Sequence, residues 1–435
     1  MPEEYRSQPP RRRRRRRRKK WSAKRWRFEL TRIGLLLVLI ALIVALFQGC
    51  RAVIGLLSSP QESASEAGQT EEQTPDGQEA PPAETVTPQE PEETEISLVM
   101  VGDVLLHTPL QESGQQSDGS YNYDHFFAHT KSLISGADLA LVNQEVILGG
   151  KELGLSGYPA FNGAFEVGDA LVKAGFDVVC HATNHALDKG ETGLLNCLNF
   201  WETNYPQIAV LGIHDSQESR DGLYLYQQDG VSIAVLDYTY GTNGISLPQP
   251  YEVDLLEEDQ VIADLQRANQ LADFVIVTPH WGTEYTHTPS EEQEHWTQIF
   301  LENGVDLVLG THPHVIQPVE WVEDSQGNRM LVYYSLGNFI NFTSDSGDGV
   351  RQRAVGAMAT VTLSVEEDEV TISDYGVIPL ISHMVEGTGK PTVYPLSDYT
   401  QALLEENEMS RKDPGFTLAY CEQLCREVFG ELYQG

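Results

Sequence analysis

The chain has 435 residues and a formal net charge of −35 at pH 7, a length that allows one large folded domain with appended segments. The charge is divided unevenly: residues 1–32 hold 15 Lys and Arg against 3 Asp and Glu, and the remaining residues hold 14 against 61. Five cysteines in a chain of this length exclude a disulfide-stapled scaffold.

The N-terminus combines a cationic run with an apolar run. Residues 11–20 are all Arg or Lys, and residues 33–47 read IGLLLVLIALIVALF. Spanning the hydrocarbon core takes about 20 apolar residues, so this run is slightly short, but residues 48–50 extend it and Arg51 can reach the interface. Positive charge stays on the cytoplasmic side of a membrane. We predict a basic cytoplasmic tail (1–32), a single-pass cell-membrane anchor (33–57) and an extracytoplasmic remainder.

Other interpretations of this N-terminus remain open. A cleaved signal peptide also has a basic start and an apolar core, although no A-x-A site follows the core here. Cys50 after Gly49 weakly resembles a lipoprotein cysteine, with Phe47 a poor fit three residues before it. The arginine run could also contact nucleic acid. Topology and anionic lipid headgroups explain it more simply beside an apolar segment, so we expect a membrane and no nucleic acid.

Residues 58–95 are predicted to be a disordered linker. They contain 11 Asp and Glu, no Lys or Arg, several Pro, and few large apolar residues. Such a stretch cannot bury enough apolar surface to fold, and its charges repel one another and keep it extended. The linker would hold the following domain away from the membrane.

From Ile96 onward, short apolar runs alternate with amphipathic stretches. The predicted strands are 96–101, 138–143, 176–181, 207–211, 231–237, 273–278, 305–309 and 330–335. The predicted helices between them are 165–174, 190–203, 256–271 and 290–303. This alternation indicates an α/β fold, and the nearly all-apolar runs are typical of strands that helices cover on both faces.

The pattern changes after residue 335. Segments 355–364 and 369–378 are predicted to pair around the polar EEDE turn. We assign 96–382 to one folded domain and 383–435 to a C-terminal extension that ends in a helix at about 414–430. Cys421 and Cys425 lie one helical turn apart there, a spacing that makes a disulfide marginal and favours two buried thiols.

Metal-competent side chains recur where apolar runs end. The segments that carry them are MVGDVLLH (100–107), LVNQEV (141–146), ATNHALD (182–188), TPHWGTEY (278–285) and GTHPHVIQP (310–318). Ligands gather at the carboxyl ends of strands in open α/β sheets, so one shared site is plausible. Mixed imidazole and carboxylate ligands without thiolate suit Mn, Zn or Fe, and two such ions about 3.5–4 Å apart need a bridging carboxylate.

Taken alone, each segment has a simpler structural interpretation. Asp103 could cap a helix, and a lone buried histidine such as His280 is often only a hydrogen-bonded core residue. The Asn184-His185 pair is more specific, and His312-Pro313-His314 is the strongest single signal because its two imidazoles can face two metals. Together the segments indicate a metal centre.

The segments GDVLL, NQEV, ATNHALDKG, PHWGTEY, GTHPHVIQP and YSLGNFI occur in the order and form of the CapA family. Over about residues 96–345 the chain resembles these bacterial proteins, which are linked to poly-γ-glutamate capsule synthesis and are similar in fold to calcineurin-like metallophosphatases. The resemblance implies a layered, metallophosphatase-like β-sandwich flanked by helices. It also implies one or two divalent metal ions and an anionic envelope polymer such as poly-γ-glutamate as partner, with membrane synthase subunits as possible further partners.

The resemblance implies roles for individual residues. The expected ligands of the first metal are Asp103, Glu145 and His314. The expected ligands of the second metal are Glu145, Asn184, His280 and His312, with Glu145 bridging. His185 is the expected general acid. Further contacts to ligands or substrate are expected from Asn143, Glu284 and Asn338.

One departure from the phosphatase pattern stands out. That pattern begins Asp-x-His, and here Leu105 occupies the histidine position after Asp103. His107 lies two residues further on and could substitute; otherwise the first metal is weak or absent. Residues 143–145 also replace the Gly-Asp segment of the phosphatases, so phosphomonoesterase activity does not follow from the fold.

Two function classes follow. The first is a metal-dependent hydrolase or transferase that acts on capsule polymer, which predicts loss of function when His185 or His280 is removed. The second is a membrane-tethered scaffold for polymer assembly that reuses a phosphatase fold, which predicts that metal-ligand variants keep their function. The intact Asn-His and His-x-His motifs favour an enzyme, and Leu105 favours a scaffold.

The charge of the folded region constrains the partner. Residues 96–435 carry 13 Lys and Arg against 50 Asp and Glu, so a polyanion meets a repulsive average field. Local cations would have to offset it: the metals, Lys189, or Arg351 and Arg353. The two arginines would share one face if their segment is a strand.

Overall fold

The structure is a computed structural model that describes residues 94–366, 369–385 and 390–433. Within these residues, no helix combines the length and apolar character needed to cross a bilayer. The predicted cytoplasmic tail, the predicted anchor and nearly all of the predicted linker lie outside the described residues.

The described residues form fourteen strands and ten α-helices. The strands are β1 (Thr94–Val104), β2 (Leu139–Asn143), β3 (Val178–Cys180), β4 (Ala209–Leu211), β5 (Tyr224–Gln228), β6 (Val231–Thr239), β7 (Phe274–His280), β8 (Leu307–Leu309), β9 (Val319–Glu323), β10 (Arg329–Tyr333), β11 (Asn338–Ile340), β12 (Val355–Glu366), β13 (Glu369–His383) and β14 (Thr392–Pro395). The helices are α1 (Thr108–Ser113), α2 (Lys131–Ile134), α3 (Phe165–Ala174), α4 (Gly190–Asn204), α5 (Gln217–Arg220), α6 (Glu258–Leu271), α7 (Glu291–Glu302), α8 (Gln401–Glu406), α9 (Glu408–Lys412) and α10 (Leu418–Phe429).

The strands form two mixed sheets. The first runs β14-β13-β12-β1-β2-β3-β4, with β11 also paired to β1, and the second runs β5-β6-β7-β8-β10-β9. Strands β1 to β4 are parallel, as are β6, β7, β8 and β10, whereas β12, β13 and β14 pair antiparallel. Each sheet therefore has a parallel centre whose carboxyl ends can carry a site.

The side chains of β6 show how the layers pack. Ile233 and Val235 join a core cluster with residues of the first sheet, while Ala234 and Leu236 join a second cluster with α6 and α7. Because successive side chains of a strand point to opposite faces, one face of the second sheet packs on the first sheet and the other on helices. The predicted α/β sandwich flanked by helices is confirmed.

All eight strands predicted from the alternation are present, as are the four helices and the pair β12–β13. Helix α7 begins with a capping box in which the Ser290 hydroxyl accepts a hydrogen bond from the Gln293 backbone N–H. The sequence analysis missed β5, β9, β11 and β14. These strands are three to five residues long, and several are only half-buried, so their hydrophobic pattern is weak.

The C-terminal extension folds with the rest of the described chain. Strand β14 pairs with β13, and Met384, Leu404 and Phe416 join the same core cluster as the first sheet. Cys421 and Cys425 are free thiols buried in that cluster. The division of the folded region at residue 383 stays a prediction.

Two glycines bring β11 against β1 beneath the metal-competent segment. A Cβ at Gly102 would collide with the carbonyl oxygen of Gly337, and Gly337 itself has a φ of +63°. The close approach lets the Asp103 N–H donate a hydrogen bond to Gly337 O at 3.0 Å. The Gly-Asp and Leu-Gly-Asn motifs are therefore explained in part by this crossing, which fixes the backbone of Asp103.

Candidate metal centre

The carboxyl ends of the two sheets meet at one buried site. In the first sheet, Asp103 pairs in register with Asn143. In the second sheet, His280 ends β7 and bridges to Thr311 of the following segment. Asn143 Nδ2 of one sheet lies 3.3 Å from His280 Nδ1 of the other. Residues far apart in the chain are thus adjacent because both sheets end at the same place.

Glu145 lies at the centre of this site and has no exposed surface. Neither of its carboxylate oxygens has a hydrogen-bond partner. Its Oε1 lies 3.7 Å from His314 Nε2, 3.9 Å from His280 Nε2 and 4.0 Å from His185 Nε2. A buried carboxylate without a partner is costly, and burial raises its pKa well above the ordinary value. A cation held between Glu145 and the imidazoles would remove this cost.

Two groups of potential ligands flank Glu145. In the first group, His314 Nδ1 lies 3.0 Å from Asp103 Oδ2. In the second, His280 Nε2 lies 3.1 Å from Asn184 Oδ1 and 3.2 Å from His312 Nδ1. Glu145, His312 and His314 each offer a ligand atom within 4.8 Å of the others. The six predicted ligands converge, and their oxygen and nitrogen atoms fit a divalent cation such as Mn, Zn or Fe.

Two of the three buried histidines, His280 and His312, have the protonation state that metal binding requires. Burial, reinforced by neighbouring imidazoles, lowers the pKa of His280 and of His312 well below the ordinary value. Both are therefore neutral, the form that binds metal. Burial alone would also lower the pKa of His314, but the carboxylates of Glu145 and Asp103 outweigh it and raise that pKa to about 9. A bound cation would compete with this proton.

Hydrogen bonds outside the ligand set orient the ligands. Asn143 Nδ2 donates to Asp103 Oδ1 at 2.7 Å. His280 Nδ1 lies 3.1 Å from Thr311 Oγ1, and donation to that hydroxyl leaves His280 Nε2 free to face Glu145. Partners of this kind fix ring orientation and tautomer in metal sites.

The backbone is strained around the site. Five non-glycine residues of the described chain have positive φ angles, and four of them lie here: Asn243 (51°), Tyr285 (64°), His312 (97°) and His314 (58°). Such conformations are rare for residues with a Cβ and persist where the surroundings enforce them, often at functional sites. The strain lets His312 and His314, two residues apart, both point inward.

The predicted general acid His185 stands beside the ligands. Its Nδ1 lies 2.7 Å from Asp188 Oδ2, and its ring packs edge-on against Phe161 with centroids 4.6 Å apart. An imidazole that donates Nδ1–H to a carboxylate presents Nε2 to the site. Asp188 was missed as a site residue, although its place three residues after His185 in ATNHALD was visible in the sequence.

The structure brings some of the other predicted residues to the site and leaves others away from it. Asn338 is buried, and its Nδ2 donates to the backbone oxygens of His314 and Arg353 at 3.0 Å each. Glu284 is exposed beside Tyr285. Lys189 is half-buried directly before α4, and within the described part of the chain its side chain makes no hydrogen bond or ion pair.

The two predicted arginines belong to a 3₁₀ helix, Val350–Ala354, and not to a strand, so they do not share one face. Arg351 pairs with the buried Asp413 at 2.9 Å, away from the ligands. Arg353 pairs with the exposed Asp345 at 2.7 Å and lies over the ring of Tyr285 at 3.8 Å. Of the two, Arg353 reaches the rim of the site.

Leu105, which stands where the resemblance predicted an imidazole, has apolar surroundings. Leu105 is buried in the main core cluster. The ring of His107 packs edge-on against Phe161 at 5.3 Å and makes no hydrogen bond within the described residues. Burial, then the nearby His314 and His185, lower its pKa to about 4. His107 is therefore a neutral imidazole beside the site, and no contact joins it to Asp103 or Glu145.

Two further residues reach the site from the segment after β6. Tyr240 lies against His312 with ring centroids 4.7 Å apart, and Asn243 Nδ2 lies 3.4 Å from His185 Nδ1. Burial raises the pKa of Tyr240 to about 12. Neither residue stands in a metal-ligand motif, so the sequence carried no signal for them.

Residues 97–343 match the family described as bacterial capsule synthesis protein PGA_cap. The chain belongs to this family. It is 27% identical over 337 residues to the capsule biosynthesis protein CapA of Bacillus anthracis, a match that covers 72% of this chain and 74% of that protein. The family predicted from the motifs is therefore confirmed.

One further relative and one solved structure match the chain. The chain is 29% identical over 167 residues to the PGA biosynthesis protein CapA of Bacillus subtilis (strain 168), covering 38% of this chain and 42% of that protein. Among solved structures, the NAD nucleotidase of Haemophilus influenzae matches with a TM-score of 0.43 at 13% identity, over 77% of this chain and 68% of that one. A similarity this remote supports no statement about activity.

Proposed function

We propose that this protein is a membrane-anchored, extracytoplasmic member of its family that acts on capsule polymer, with poly-γ-glutamate favoured, through a divalent-metal site. The observation that carries the proposal is the buried Glu145 carboxylate with two unpartnered oxygens among three histidines. Membership of a capsule synthesis family supports the polymer. The buried carboxylate and imidazoles support metal-dependent chemistry.

Each part of the site has a distinct task in this proposal. Asp103 and His314 would supply ligands on one side of the metal site. Asn184, His280 and His312 would supply ligands on the other side, and Glu145 would lie between the two groups. Bound there, a divalent cation would polarise an acyl or phosphoryl oxygen. His185 would donate the proton from Nε2 to the atom that leaves, because Asp188 holds its Nδ1.

Catalysis is tested in the host that makes the polymer. His185→Gln should leave folding and metal content unchanged but reduce the amount of polymer processed, because general acid catalysis contributes about 10²–10⁴-fold. His280→Ala should lose both metal and function. His295→Gln is the matched control, since His295 is exposed on α7 outside the site. Normal polymer yield and length in the His185→Gln strain would refute the catalytic role.

A scaffold for polymer assembly is the second candidate, and a specific observation favours it. Leu105 fills the position of one expected imidazole and is buried among apolar side chains, so the ligand set is incomplete relative to the phosphatase pattern. If both His185→Gln and His280→Ala strains make normal capsule, the scaffold replaces the enzyme.

The predicted topology is tested separately. The basic tail and apolar run at residues 11–47 support an N-terminus in the cytoplasm and an uncleaved anchor. Protease added to intact spheroplasts should then remove the folded domain. A protected domain would refute the topology, and a mature N-terminus near residue 50 would refute the anchor.

A further inference from the structure

Exposed aromatic and aliphatic side chains concentrate around the metal-competent site. Six large apolar side chains of the described residues are exposed: Tyr158, Leu195, Tyr240, Ile245, Leu271 and Tyr285. Tyr240 and Ile245 lie on the segment after β6, Tyr285 lies on the segment after β7, and Tyr158 packs toward the His185 side. Clustered exposed apolar surface marks an interaction site more often than scattered residues do.

Two of these tyrosines bracket the paired histidines. The Tyr240 ring lies 4.7 Å from that of His312, and the Tyr285 ring lies 5.9 Å from that of His314, with the two imidazoles 5.6 Å apart. Beyond Tyr285, the guanidinium of Arg353 covers the tyrosine ring at 3.8 Å. These five side chains, called the aromatic row below, run from Tyr240 to Arg353 across the site.

A shorter branch approaches from the proton-donor side. The Tyr158 ring lies 6.4 Å from that of Phe161, which in turn packs against His185 at 4.6 Å. Tyr158 is 76% exposed, the most exposed large apolar side chain in the described part of the chain. It is therefore available to contact an occupant that extends past His185.

The backbone holds both bracketing tyrosines in place. The Tyr285 N–H donates to Pro313 O at 2.8 Å, and Tyr285 O accepts from Gln352 Nε2 at 3.2 Å. The Tyr240 N–H donates to His280 O at 3.0 Å. Residues whose backbone is already fixed in this way lose less conformational freedom when they bind, which makes them effective contact residues.

We propose that the aromatic row is a binding track for an extended, amide-linked acidic polymer, which crosses the metal site with several consecutive units in contact. This proposal rests on the proposed function and deepens it. An occupant that touches both Tyr240 and Tyr285 must pass over His312 and His314, so a single small anion cannot satisfy the whole row. The track accounts for exposed rings on both sides of a buried site.

The chemistry of the row fits such a polymer. A γ-linked glutamate unit offers two methylenes and a planar amide, which can pack on the parts of the two tyrosine rings that stay exposed, and one carboxylate. Arg353 can take a carboxylate in place of that of Asp345, because the Asp345 side chain is 61% exposed and can turn away into solvent. The row thus supplies local attraction for an acidic chain in a domain whose average charge is negative.

The test measures binding as a function of polymer length. The full chain in detergent, saturated with Mn²⁺, is titrated with poly-γ-glutamate fractions of graded length and with free glutamate. Tyr240→Ala and Tyr285→Ala should each weaken binding of long fractions by about three- to tenfold, as expected for a lost aromatic contact. Free glutamate should bind equally to all variants. Tyr240→Phe and Tyr285→Phe should retain most of the affinity.

Leu271→Ala is the matched control, because Leu271 is 52% exposed at the end of α6, outside the aromatic row. Long fractions that bind both alanine variants as tightly as the unmodified chain would overturn the track. So would an affinity that does not grow with polymer length, or no polymer binding by a chain that binds metal. The metal site is scored separately through metal content, so failure of the track is distinguishable from failure of the metal-dependent function.

Discussion

Replacing Glu145 with Gln should make the metal-free protein more stable and remove its stabilisation by metal. The wild-type carboxylate is fully buried and both of its oxygens lack partners. An unsatisfied buried polar group costs about 1–3 kcal/mol, and more when it is charged. A glutamine of the same shape cannot carry a charge and can donate to the neutral imidazole of His280, while His314 keeps its partner Asp103 at 3.0 Å. We therefore expect the metal-free variant to be more stable than the metal-free wild type.

The size of both effects follows from the size of the domain. Unfolding entropy is about 2.1 cal/mol/K per residue, so roughly 330 described residues give about 0.7 kcal/mol/K. A gain of about 1–3 kcal/mol then raises the melting temperature of the metal-free variant by about 1.5–4 °C. In the wild type, metal at about 100 times its Kd adds about 2.7 kcal/mol, or about 4 °C, and the variant should lose this increase.

The assay is thermal unfolding of the wild type and of Glu145→Gln, first in chelator and then in a titration with Mn²⁺ or Zn²⁺, with bound metal measured by mass spectrometry. Glu252→Gln is the matched control, because Glu252 is also buried with one unpartnered oxygen but lies outside the ligand groups. That variant should keep the full metal-dependent shift. A Glu145→Gln protein that shows the wild-type shift and metal content would refute the central role of this carboxylate.

Three further predictions concern the scaffold around the site. Burial raises the pKa of Asp306 from 3.8 to about 6, so its contribution to stability is complete below pH 3.8 and is lost as the pH rises through 6. Asp306→Asn should raise the free energy of unfolding at pH 7 by about 1–3 kcal/mol and flatten its dependence on pH in urea titrations. Asp413 accepts four hydrogen bonds, two of them from Arg351 of the 3₁₀ helix that also carries Arg353. Asp413→Ala should cost about 2–4 kcal/mol in the same titrations, against less than about 1 kcal/mol for the exposed Asp345→Asn. Gly102→Ala should cost more than about 3 kcal/mol and lower metal content, because its Cβ would displace Gly337 from beneath the site; a variant with normal stability and metal binding would contradict this account.

The elements that the sequence predicted well share one physical property. Strands such as β2 and β7 are buried along their whole length, so most of their residues are apolar. Such an apolar run can be recognised in the sequence without knowing which strands pair with it. The missed strand β11 has only three residues. It forms because Gly102 and Gly337 allow two backbones to approach, and a pairing that depends on a distant glycine leaves no periodic pattern.

The same distinction applies to the site. Ligands at strand ends could be predicted, because the chemistry of imidazole and carboxylate restricts the residue types and the topology brings strand ends together. Tyr240 and Asn243 could not be predicted, because they lie on an irregular segment after β6 and only the path of that segment brings them to the site. Arg353 was named for its charge alone, and its position over Tyr285 depends on a 3₁₀ helix held by a residue of the C-terminal extension, Asp413.

The absence of an imidazole at Leu105 affects only one of the two groups of predicted ligands. That position belongs to the side that holds Asp103 and His314, where those two residues and Glu145 remain. On the opposite side, Asn184 Oδ1 and His312 Nδ1 lie 3.1 and 3.2 Å from His280 Nε2. His185 follows Asn184 directly in the chain, so the proton donor belongs to the complete side. In the proposed site, Leu105 would therefore weaken the first metal position without disturbing the group that would supply the proton. A site with one firmly held cation could still bind and protonate a substrate, so Leu105 is compatible with the proposed enzyme.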